Sequence, residues 1–373
     1  MHAGSLKNEL ASIIERHGID RIGFCSAEVF DDVRQNLHQR KAAGLSADMQ
    51  FTYRNPDRST DPARSLPGAR SIVVAAKSYR RLSTAVADGG AGSAEIAEYV
   101  WEPHYAELRT ALDDVAAHLV QQGFEARVLV DDNALVDRAA AHRAGIGWWG
   151  KNSNILIAGA GSRFVLGSVI TNAVLDHGSE PVADQCGPCR RCFDACPTKA
   201  IVADGVIDSN RCLAWLVQSP GVFPRDFREA LGARIYGCDD CQTSCPPNVI
   251  ADRNLSPEET TGISAVAVQD LLGLDDEALM SRFGAWYIPR REARYLRRNA
   301  LVVLGNVGDP HSPIVQQLIE RHLCSEDEIE RTHAIWAAHA LGLGHLFDHM
   351  TRDPANDPSP MVREELRAVG ATQ

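Results

Sequence analysis

The chain lacks the long apolar segments that membrane proteins need. Of its 373 residues, 45% are hydrophobic and 23% are charged, but no apolar run reaches the roughly 18 residues of a membrane span. The N-terminal stretch reads as an amphipathic helix without the apolar core of a secretory signal peptide. We therefore expect a cytoplasmic globular protein with a large buried core and no membrane partner.

An excess of positive charge is also missing. The formal net charge of −11 at pH 7 argues against a general nucleic-acid binder held by attraction to phosphates. A local basic patch can still bind a structured RNA, and "PRREARYLRR" predicts one such face on a helix, with a solvated helix surface as the alternative. The residues predicted for this face are Arg290, Arg294, either Arg297 or Arg298, and the interleaved Tyr287 and Tyr295.

Cysteine is concentrated in one segment. Eight of the ten cysteines lie within residues 186–245, and only Cys25 and Cys324 lie outside. Secreted disulfide frameworks are usually short chains that are rich in cysteine throughout, so metal ligation fits this pattern better. We expect Cys25 and Cys324 to be small buried apolar residues.

The cysteine spacing indicates iron–sulfur clusters. The first run reads Cys-x2-Cys-x2-Cys-x3-Cys-Pro, the bacterial ferredoxin spacing in which the fourth cysteine ligates the other cluster. The second run, Cys238 to Cys245, repeats the Cys-Pro ending but has one cysteine fewer, which isolated Cys212 supplies. We assign one 4Fe-4S cluster to Cys186, Cys189, Cys192 and Cys245, and the other to Cys196, Cys212, Cys238 and Cys241. Two four-cysteine zinc sites are the alternative.

The rest of the chain divides around this segment. Residues 1–175 alternate helical and strand patterns, which predicts an α/β layered domain. Residues 176–255 form the cluster domain. Residues 265–373 contain successive amphipathic helices, which predict stacked HEAT-like pairs. The expected fold class is α+β.

Two clusters form a path for electrons, but motifs for an acceptor are absent. The sequence has no dinucleotide-binding fingerprint beside a strand and no D-x-H-x-x-G stretch for a histidine-ligated cobalamin. From residue chemistry alone, the chain is a redox enzyme with an unknown acceptor.

A family resemblance supplies that acceptor. The stretches "MQFTYRNPDRSTDPARSLPGARSIVVAAKSY" and "VDDNALVDRAAAHRAGIGWWGKNSNIL", the eight-cysteine segment and "RRNALVVLGN" occur in this order. The chain thereby resembles epoxyqueuosine reductases over nearly its whole length, and its core resembles reductive dehalogenases. The resemblance implies a cytoplasmic monomer with two 4Fe-4S clusters and a cobalamin. Such an enzyme reduces epoxyqueuosine to queuosine at the wobble position of tRNA.

The resemblance also implies an architecture and partners. The N-terminal domain would be a nitroreductase-like cobalamin domain, followed by the ferredoxin-like cluster domain. The HEAT-like repeats would help to hold the anticodon stem-loop of tRNA. An external donor such as flavodoxin or ferredoxin would supply the electrons.

Site residues follow from the same resemblance. The family's proton donor falls on Asp131 in "VDDNALVDR". Asp131, Asp132 and Asn133 could instead be turn and N-cap residues before a helix starting at Ala134. The positions implied for cofactor or substrate contact are Arg58, Gly147, Trp148, Lys151, Asn152 and Ser162. A buried hydrophobic corner is the alternative for the tryptophan pair.

The chain departs from the family pattern at two places. His104, Tyr105 and Ala106 stand where the family usually has Asp-Tyr-His, and "NALVDR" replaces an Ala-Pro and a Glu-Arg. These differences leave two other hypotheses open. In the first, an enzyme with the same cofactors acts on an organohalide or on another modified nucleoside. In the second, the protein is a non-catalytic two-cluster electron carrier with helical docking repeats.

Overall fold

A computed structural model describes residues 3–79, 90–178, 180–253, 263–349 and 357–370. The chain forms two compact units, each assembled from three separate segments. The first unit comprises residues 1–82, 98–210 and 239–259, and the second comprises residues 83–97, 211–238 and 260–373. The division into three consecutive domains stays a prediction, and its boundary at residue 255 lies outside the described residues.

The helices of both units are mostly short. In chain order they are α1 (Ala3–Arg16), α2 (Asp31–Ala42), α3 (Pro56–Ser59), α4 (His104–Gln121), α5 (Asp137–Arg143), α6 (Arg191–Ala195), α7 (Leu213–Leu216), α8 (Arg228–Leu231), α9 (Asp240–Thr243), α10 (Pro246–Asp252), α11 (Val268–Gly273), α12 (Asp276–Phe283), α13 (Arg294–Val307), α14 (Pro313–Leu323), α15 (Glu328–Ala340) and α16 (Pro360–Ala368). Short 3₁₀ helices occur at Pro62–Arg64, Glu98–Val100, Arg225–Phe227, Pro289–Arg291 and Gly344–His349. None of the described helices is both long and apolar enough to span a bilayer.

Within the described residues, the strands form four small sheets. They are β1 (Arg21–Ser26), β2 (Ser71–Ser78), β3 (Ser93–Ile96), β4 (Ala126–Val130), β5 (Trp148–Trp149), β6 (Ile155–Leu156), β7 (Phe164–Thr171), β8 (Ile201–Ala203), β9 (Val206–Ile207), β10 (Arg234–Tyr236) and β11 (Ala265–Ala267). Mixed helix and strand content confirms the coarse α+β prediction.

The first unit is organised around an antiparallel sheet with strand order β1-β2-β7-β4. β2 lies in the interior of this sheet, and its apolar run is buried on both faces. Val73 and Ala75 point into a core shared with α1 and α4, whereas Ile72 and Val74 point into a second core shared with α5. Because successive strand residues alternate between faces, one continuous apolar strand supplies both cores.

The second unit contains a three-stranded sheet and the C-terminal helices. β3 is the middle strand, parallel to β10 and antiparallel to β11. Helix α13 packs against α15, which also contacts α14 and α16. The predicted helices in this region are therefore confirmed.

Two local structures differ from those considered in the sequence. The alternative for Asp131 holds in part, because residues 131–133 lie in a turn, but the helix that follows begins at Asp137 rather than Ala134 and its N-cap residue is Val136. The predicted basic helix face is wrong: Arg290 lies in a 3₁₀ turn with φ of 52°, and α13 begins at Arg294. A residue in the left-handed region interrupts a right-handed helix. Arg290 therefore lies outside α13 and does not share a helical face with Arg294.

Candidate functional site

Four thiols in the first unit influence one another electrostatically. All ten cysteines lie in described segments, and none of them forms a disulfide. Burial, followed by the nearby thiols of Cys186 and Cys192, raises the pKa of Cys245 to about 11. Burial also raises the pKa of Cys192, with Cys186 and Cys189 adding to the effect. These thiols are therefore near enough to Cys245 to act on its charge, and the shared cluster that the ferredoxin spacing indicates stays a prediction.

This grouping suits a cluster better than a single ion. In the described segments, no three histidine, cysteine, aspartate or glutamate side chains lie close enough together to bind one metal ion. A cubane attaches each thiolate to a different iron, so its ligands need not touch one another. The remaining four cysteines divide between the units: Cys196 and Cys241 belong to the first, and Cys212 and Cys238 to the second.

Gln242 lies between the cysteines of the second run and joins them to the sheet of the first unit. Its Oε1 accepts hydrogen bonds from the hydroxyl of Tyr79 at 3.2 Å and from Ser162 Oγ at 2.9 Å. Its Nε2 donates to Asp239 Oδ1 at 3.0 Å. Because every polar atom of this buried amide is bonded, the network fixes the orientation of α9. Sequence reasoning missed Gln242, since cysteine spacing carries no signal for the residues between the ligands.

Ser162 is held by the same network. Its backbone N–H donates to Asn248 Oδ1 at 2.7 Å, and its hydroxyl accepts from Asn248 Nδ2 at 2.9 Å. The preceding Gly161 has φ of 79°, and a Cβ there would stand 1.9 Å from Asn248 Oδ1. Glycine is therefore required at this contact. The structure places Ser162 against the cluster segment, and its role as a cofactor contact stays a prediction.

Lys151 and Asn152 also bond the cysteine-rich segment. Lys151 Nζ donates to the carbonyl of Gly187, between two predicted ligands, at 2.7 Å. It also pairs with Asp204 at 3.3 Å. Asn152 Nδ2 donates to the carbonyl of Cys241 at 3.1 Å. These two residues fasten both cysteine runs to the hairpin of β5 and β6, and their contact with a corrin or tRNA stays a prediction.

Gly147 and Trp148 begin that hairpin. A Cβ at Gly147 would stand 2.3 Å from the carbonyl oxygen of Leu156, so the hairpin itself requires glycine there. Trp148 is 3% exposed, and its buried indole Nε1 has no hydrogen-bond partner in the described segments. Buried donors normally find a partner, so this atom is a candidate contact for a bound group.

Asp131 lies in a strained turn directly after β4. Its φ is 51°, in the left-handed region where aspartate is tolerated but uncommon. The turn is fixed on both sides: Arg109 donates to the carbonyl of Val130 at 2.9 Å, and Arg58 donates to Asn133 Oδ1 at 3.3 Å. Arg58 thus contacts the Asp131 turn at Asn133, two residues after Asp131.

The environment of this turn raises the pKa of two carboxyl groups. Asp131 is exposed at the surface, yet desolvation, followed by the charge of Asp132, raises its pKa above the ordinary value. Burial, followed by repulsion from Asp131, raises the pKa of Asp137 well above the ordinary value of an aspartate. Asp137 Oδ1 is buried and has no hydrogen-bond partner in the part of the chain described. Sequence reasoning noted Asp137 only as a departure from the family pattern.

Comparisons with known proteins identify the family. Residues 185–248 match the 4Fe-4S double cluster binding domain. Epoxyqueuosine reductase of Bacillus cereus is 33% identical over 346 residues, covering 90% of this chain and 89% of that protein. The Vibrio cholerae protein of the same name is 31% identical, covering 89% and 91%. The chain belongs to the epoxyqueuosine reductase family.

Solved epoxyqueuosine reductases share this fold. One, determined with an epoxyqueuosine-modified tRNA stem loop, superimposes with a TM-score of 0.89 and 28% identity, covering 99% of this chain and 98% of that one. The Bacillus subtilis enzyme, solved with its aspartate catalytic loop swung out of the active site, gives a TM-score of 0.87 at 27% identity and covers 99% of both chains. The resemblance noted in the sequence is confirmed.

The departure from the family pattern at His104 lies in the interior of the first unit. His104 is 0% exposed, and its ring lies 6.1 Å from that of Tyr79. Tyr105 packs against the apolar core formed with α1 and α4. The third changed residue, Ala106, is exposed, so the changed segment divides between the interior and the surface of the unit.

The predicted basic face requires correction. Arg298 is 0% exposed, and Arg297 is buried in ion pairs with Asp276 and Glu330. Arg294 pairs with Glu292 and Asp327, and Tyr295 is buried. Helical periodicity alone could not show this, because the burying partners lie far away in sequence. Arg290 and Tyr287 are exposed, as is Arg291, which the prediction had left out.

Proposed function

We propose that this chain is an oxidoreductase that reduces epoxyqueuosine to queuosine at the wobble position of tRNA. The observation that carries the proposal is the similarity to epoxyqueuosine reductases along 90% of the chain. Two features of the first unit support it. The Asp131 turn offers a carboxyl that can donate a proton, and the neighbouring thiols offer ligands for an electron-carrying cluster. No feature of the structure favours an organohalide substrate or a purely electron-carrying role.

The eight cysteines of residues 186–245 would hold two 4Fe-4S clusters. The mutual electrostatic influence of Cys186, Cys189, Cys192 and Cys245 supports the first set. The second set, Cys196, Cys212, Cys238 and Cys241, rests on the sequence spacing. A hydrogen bond of 3.1 Å from the backbone N–H of Ala200 to the sulfur of Cys196 suits a thiolate ligand.

Cobalamin would bind in the first unit, which would be a nitroreductase-like domain. Two buried polar atoms that lack protein partners in the described segments, Trp148 Nε1 and Asp137 Oδ1, fit a group that carries many amides. The residues proposed to hold it are Arg58, Gly147, Trp148, Lys151, Asn152 and Ser162. When bound, cobalamin and the clusters would supply the two electrons for a reduction in which both carbon–oxygen bonds of the epoxide break and its oxygen leaves as water.

Asp131 would donate the proton required when the first of these bonds breaks, and the second proton would come from solvent. An epoxide oxygen leaves far more readily as a hydroxyl than as an alkoxide, so the acid must be protonated when the bond breaks. The raised pKa of Asp131 keeps the carboxyl protonated to higher pH than usual. Arg58 and Arg109 would hold the turn in its strained conformation, with the carboxyl accessible to substrate.

The remaining parts of the proposal concern architecture and partners. The packed helices α13 to α16 would be HEAT-like repeats that help to bind the anticodon stem-loop. A flavodoxin or ferredoxin would reduce the clusters. We propose that the protein works as a monomer in the cytoplasm, where its tRNA substrate is found.

Exposed residues before α13 are the proposed RNA contact of the second unit. Arg290 and Arg291 have φ of 52° and 57°, and Tyr287 is 57% exposed. Left-handed backbone at non-glycine residues is often kept at functional sites despite its strain. Arginine and an exposed aromatic ring suit phosphate contact and base stacking.

We predict that the double variant Arg290→Gln/Arg291→Gln binds the tRNA stem-loop about tenfold more weakly. The slope of log affinity against log salt should fall in magnitude by about 1 to 2, because a complex with fewer phosphate contacts releases fewer counterions. The measurement is fluorescence anisotropy at several salt concentrations. The control is Arg282→Gln/Arg367→Gln, which removes the same charge elsewhere on the second unit. Equal salt slopes for the two double variants would contradict the proposed contact.

The proposed function is tested in the source organism. We expect tRNA nucleosides from a strain that lacks this chain to contain epoxyqueuosine in place of queuosine, as measured by mass spectrometry. The plasmid-borne chain should restore queuosine. Normal queuosine in the deletion strain, with no second reductase gene present, would contradict the proposal.

A further inference from the structure

Arg298 of α13 is a buried cation that binds backbone carbonyls. Its Nη1 donates to the carbonyls of Ser219 at 2.7 Å and Gly221 at 2.8 Å. Its Nη2 donates to those of Leu216 and Val217, both at 3.2 Å. In the described segments, no carboxylate pairs with this guanidinium. Burial lowers its pKa to about 9, so it remains charged at neutral pH.

These carbonyls belong to the segment that follows Cys212. Leu216 ends α7, and Cys212 is the N-cap residue of that helix. The backbone N–H of Leu216 donates to the carbonyl of Cys212 at 2.9 Å. A cation at a helix C-terminus satisfies carbonyls that have no partner within the helix. One helical turn therefore connects the Arg298 guanidinium to Cys212.

The next residue holds the segment that precedes Cys238. Asn299 Nδ2 donates to the carbonyl of Val217 at 2.8 Å and to that of Ile235, in β10, at 3.4 Å. Asn299 Oδ1 accepts from Arg298 Nε at 3.0 Å. Adjacent residues of α13 thus bind both the segment after Cys212 and the segment before Cys238.

We infer that Arg298 and Asn299 are positioning residues for the second 4Fe-4S cluster, an inference that rests on the proposed function. They fix the backbone of the two segments that carry Cys212 and Cys238. Helix α13 is then a structural part of a cluster site, in addition to any role of its neighbours in tRNA binding. A guanidinium suits this role because its planar donors bind several carbonyls at once, which an ammonium cannot do in the same geometry.

The matched control is another buried arginine of the second unit. Arg331 is 2% exposed and binds Asp357 and the carbonyls of Ser325 and Glu326. It contacts neither cysteine-bearing segment. Both Arg298→Lys and Arg331→Lys remove a buried guanidinium that binds backbone carbonyls, although Arg331 also pairs with Asp357, and only Arg298→Lys should disturb the cluster ligands.

The test is iron and sulfide content per folded, monodisperse full-length chain after anaerobic reconstitution, with electron paramagnetic resonance of the reduced protein. We expect about eight irons in the wild type and in Arg331→Lys, and about four in Arg298→Lys. The signal that remains in Arg298→Lys should match that of Cys212→Ser. If Arg298→Lys does not fold, Asn299→Ala is scored by the same criteria.

Two results would overturn the inference alone: about eight irons in the folded Arg298 or Asn299 variant, or equal iron loss in the Arg298 and Arg331 variants. A wild-type chain that binds zinc, or only about four irons, would instead contradict the two-cluster proposal and remove the basis of the inference. The wild-type sample therefore separates the two failures.

Discussion

Asp131→Asn is expected to lower the rate of epoxide reduction on the order of 10² to 10⁴-fold, with cofactor content unchanged. Asparagine has the shape of aspartate and can adopt the same left-handed backbone at φ of 51°. It cannot donate an acidic proton. The loss of rate should therefore appear in turnover of a loaded, folded enzyme, measured by mass spectrometry of the tRNA nucleosides.

The pH dependence of the wild-type enzyme tests the same role. Desolvation and the charge of Asp132 raise the pKa of Asp131, so the carboxyl stays protonated to higher pH than an ordinary aspartate. If this proton is transferred in the rate-limiting step, turnover should fall as pH rises through the raised pKa. The Asp131→Asn variant should lack that descending limb.

Asp132→Asn is the control for this experiment. Asp132 Oδ1 accepts a hydrogen bond of 2.8 Å from the backbone N–H of Ala134, and an asparagine oxygen can accept the same bond. The turn should therefore persist, and the variant should keep turning over with a descending pH limb, shifted to lower pH because the charge of Asp132 no longer raises the pKa of Asp131. This control rests on the hydrogen bond from the Ala134 N–H, which an asparagine at position 132 can still accept. Full turnover in Asp131→Asn would remove this residue from the mechanism.

Cys245→Ser is expected to abolish the same cluster as Cys186→Ser, although Cys245 lies in the other cysteine run. Iron should fall from about eight to about four per chain in both variants, and epoxide reduction should fall to background. The reason is the ferredoxin spacing, in which the last cysteine of one run ligates the other cluster, and the influence of the Cys186, Cys189 and Cys192 thiols on the pKa of Cys245 agrees with it. Iron analysis and electron paramagnetic resonance of the reduced proteins are the measurements.

Two further variants make the assignment specific. Cys238→Ser should lose the other cluster and leave a different residual spectrum, and Cys324→Ser, outside both runs, should keep about eight irons. If Cys245→Ser and Cys238→Ser leave the same residual spectrum, each cysteine run holds its own cluster and the crossed assignment is wrong.

The sequence predicts best where one local pattern determines the structure. The apolar run of β2 and the periodic α4 are found where hydrophobic periodicity places them. The cysteine spacing predicts the link of Cys245 to the first run, because a cluster constrains its ligands whatever the fold around them. Family motifs identified Asp131, but no sequence pattern showed its left-handed turn.

The sequence predicts poorly where distant backbone decides the environment of a side chain. Arg298 lies in a basic stretch that resembles an exposed RNA-binding face, yet the carbonyls that bury it lie about 80 residues earlier. Gln242 shows the same limit, since its partners Tyr79 and Ser162 lie 163 and 80 residues earlier in the chain. Polar residues bound to distant carbonyls or amides have no local signature.

The central claim is tested most directly with purified, anaerobically reconstituted enzyme, a chemical reductant and tRNA that carries epoxyqueuosine. Mass spectrometry of the digested nucleosides should show conversion to queuosine over many turnovers by the wild type, and almost none by Asp131→Asn at equal cofactor content. Unchanged epoxyqueuosine after incubation with fully loaded wild-type enzyme would contradict the account.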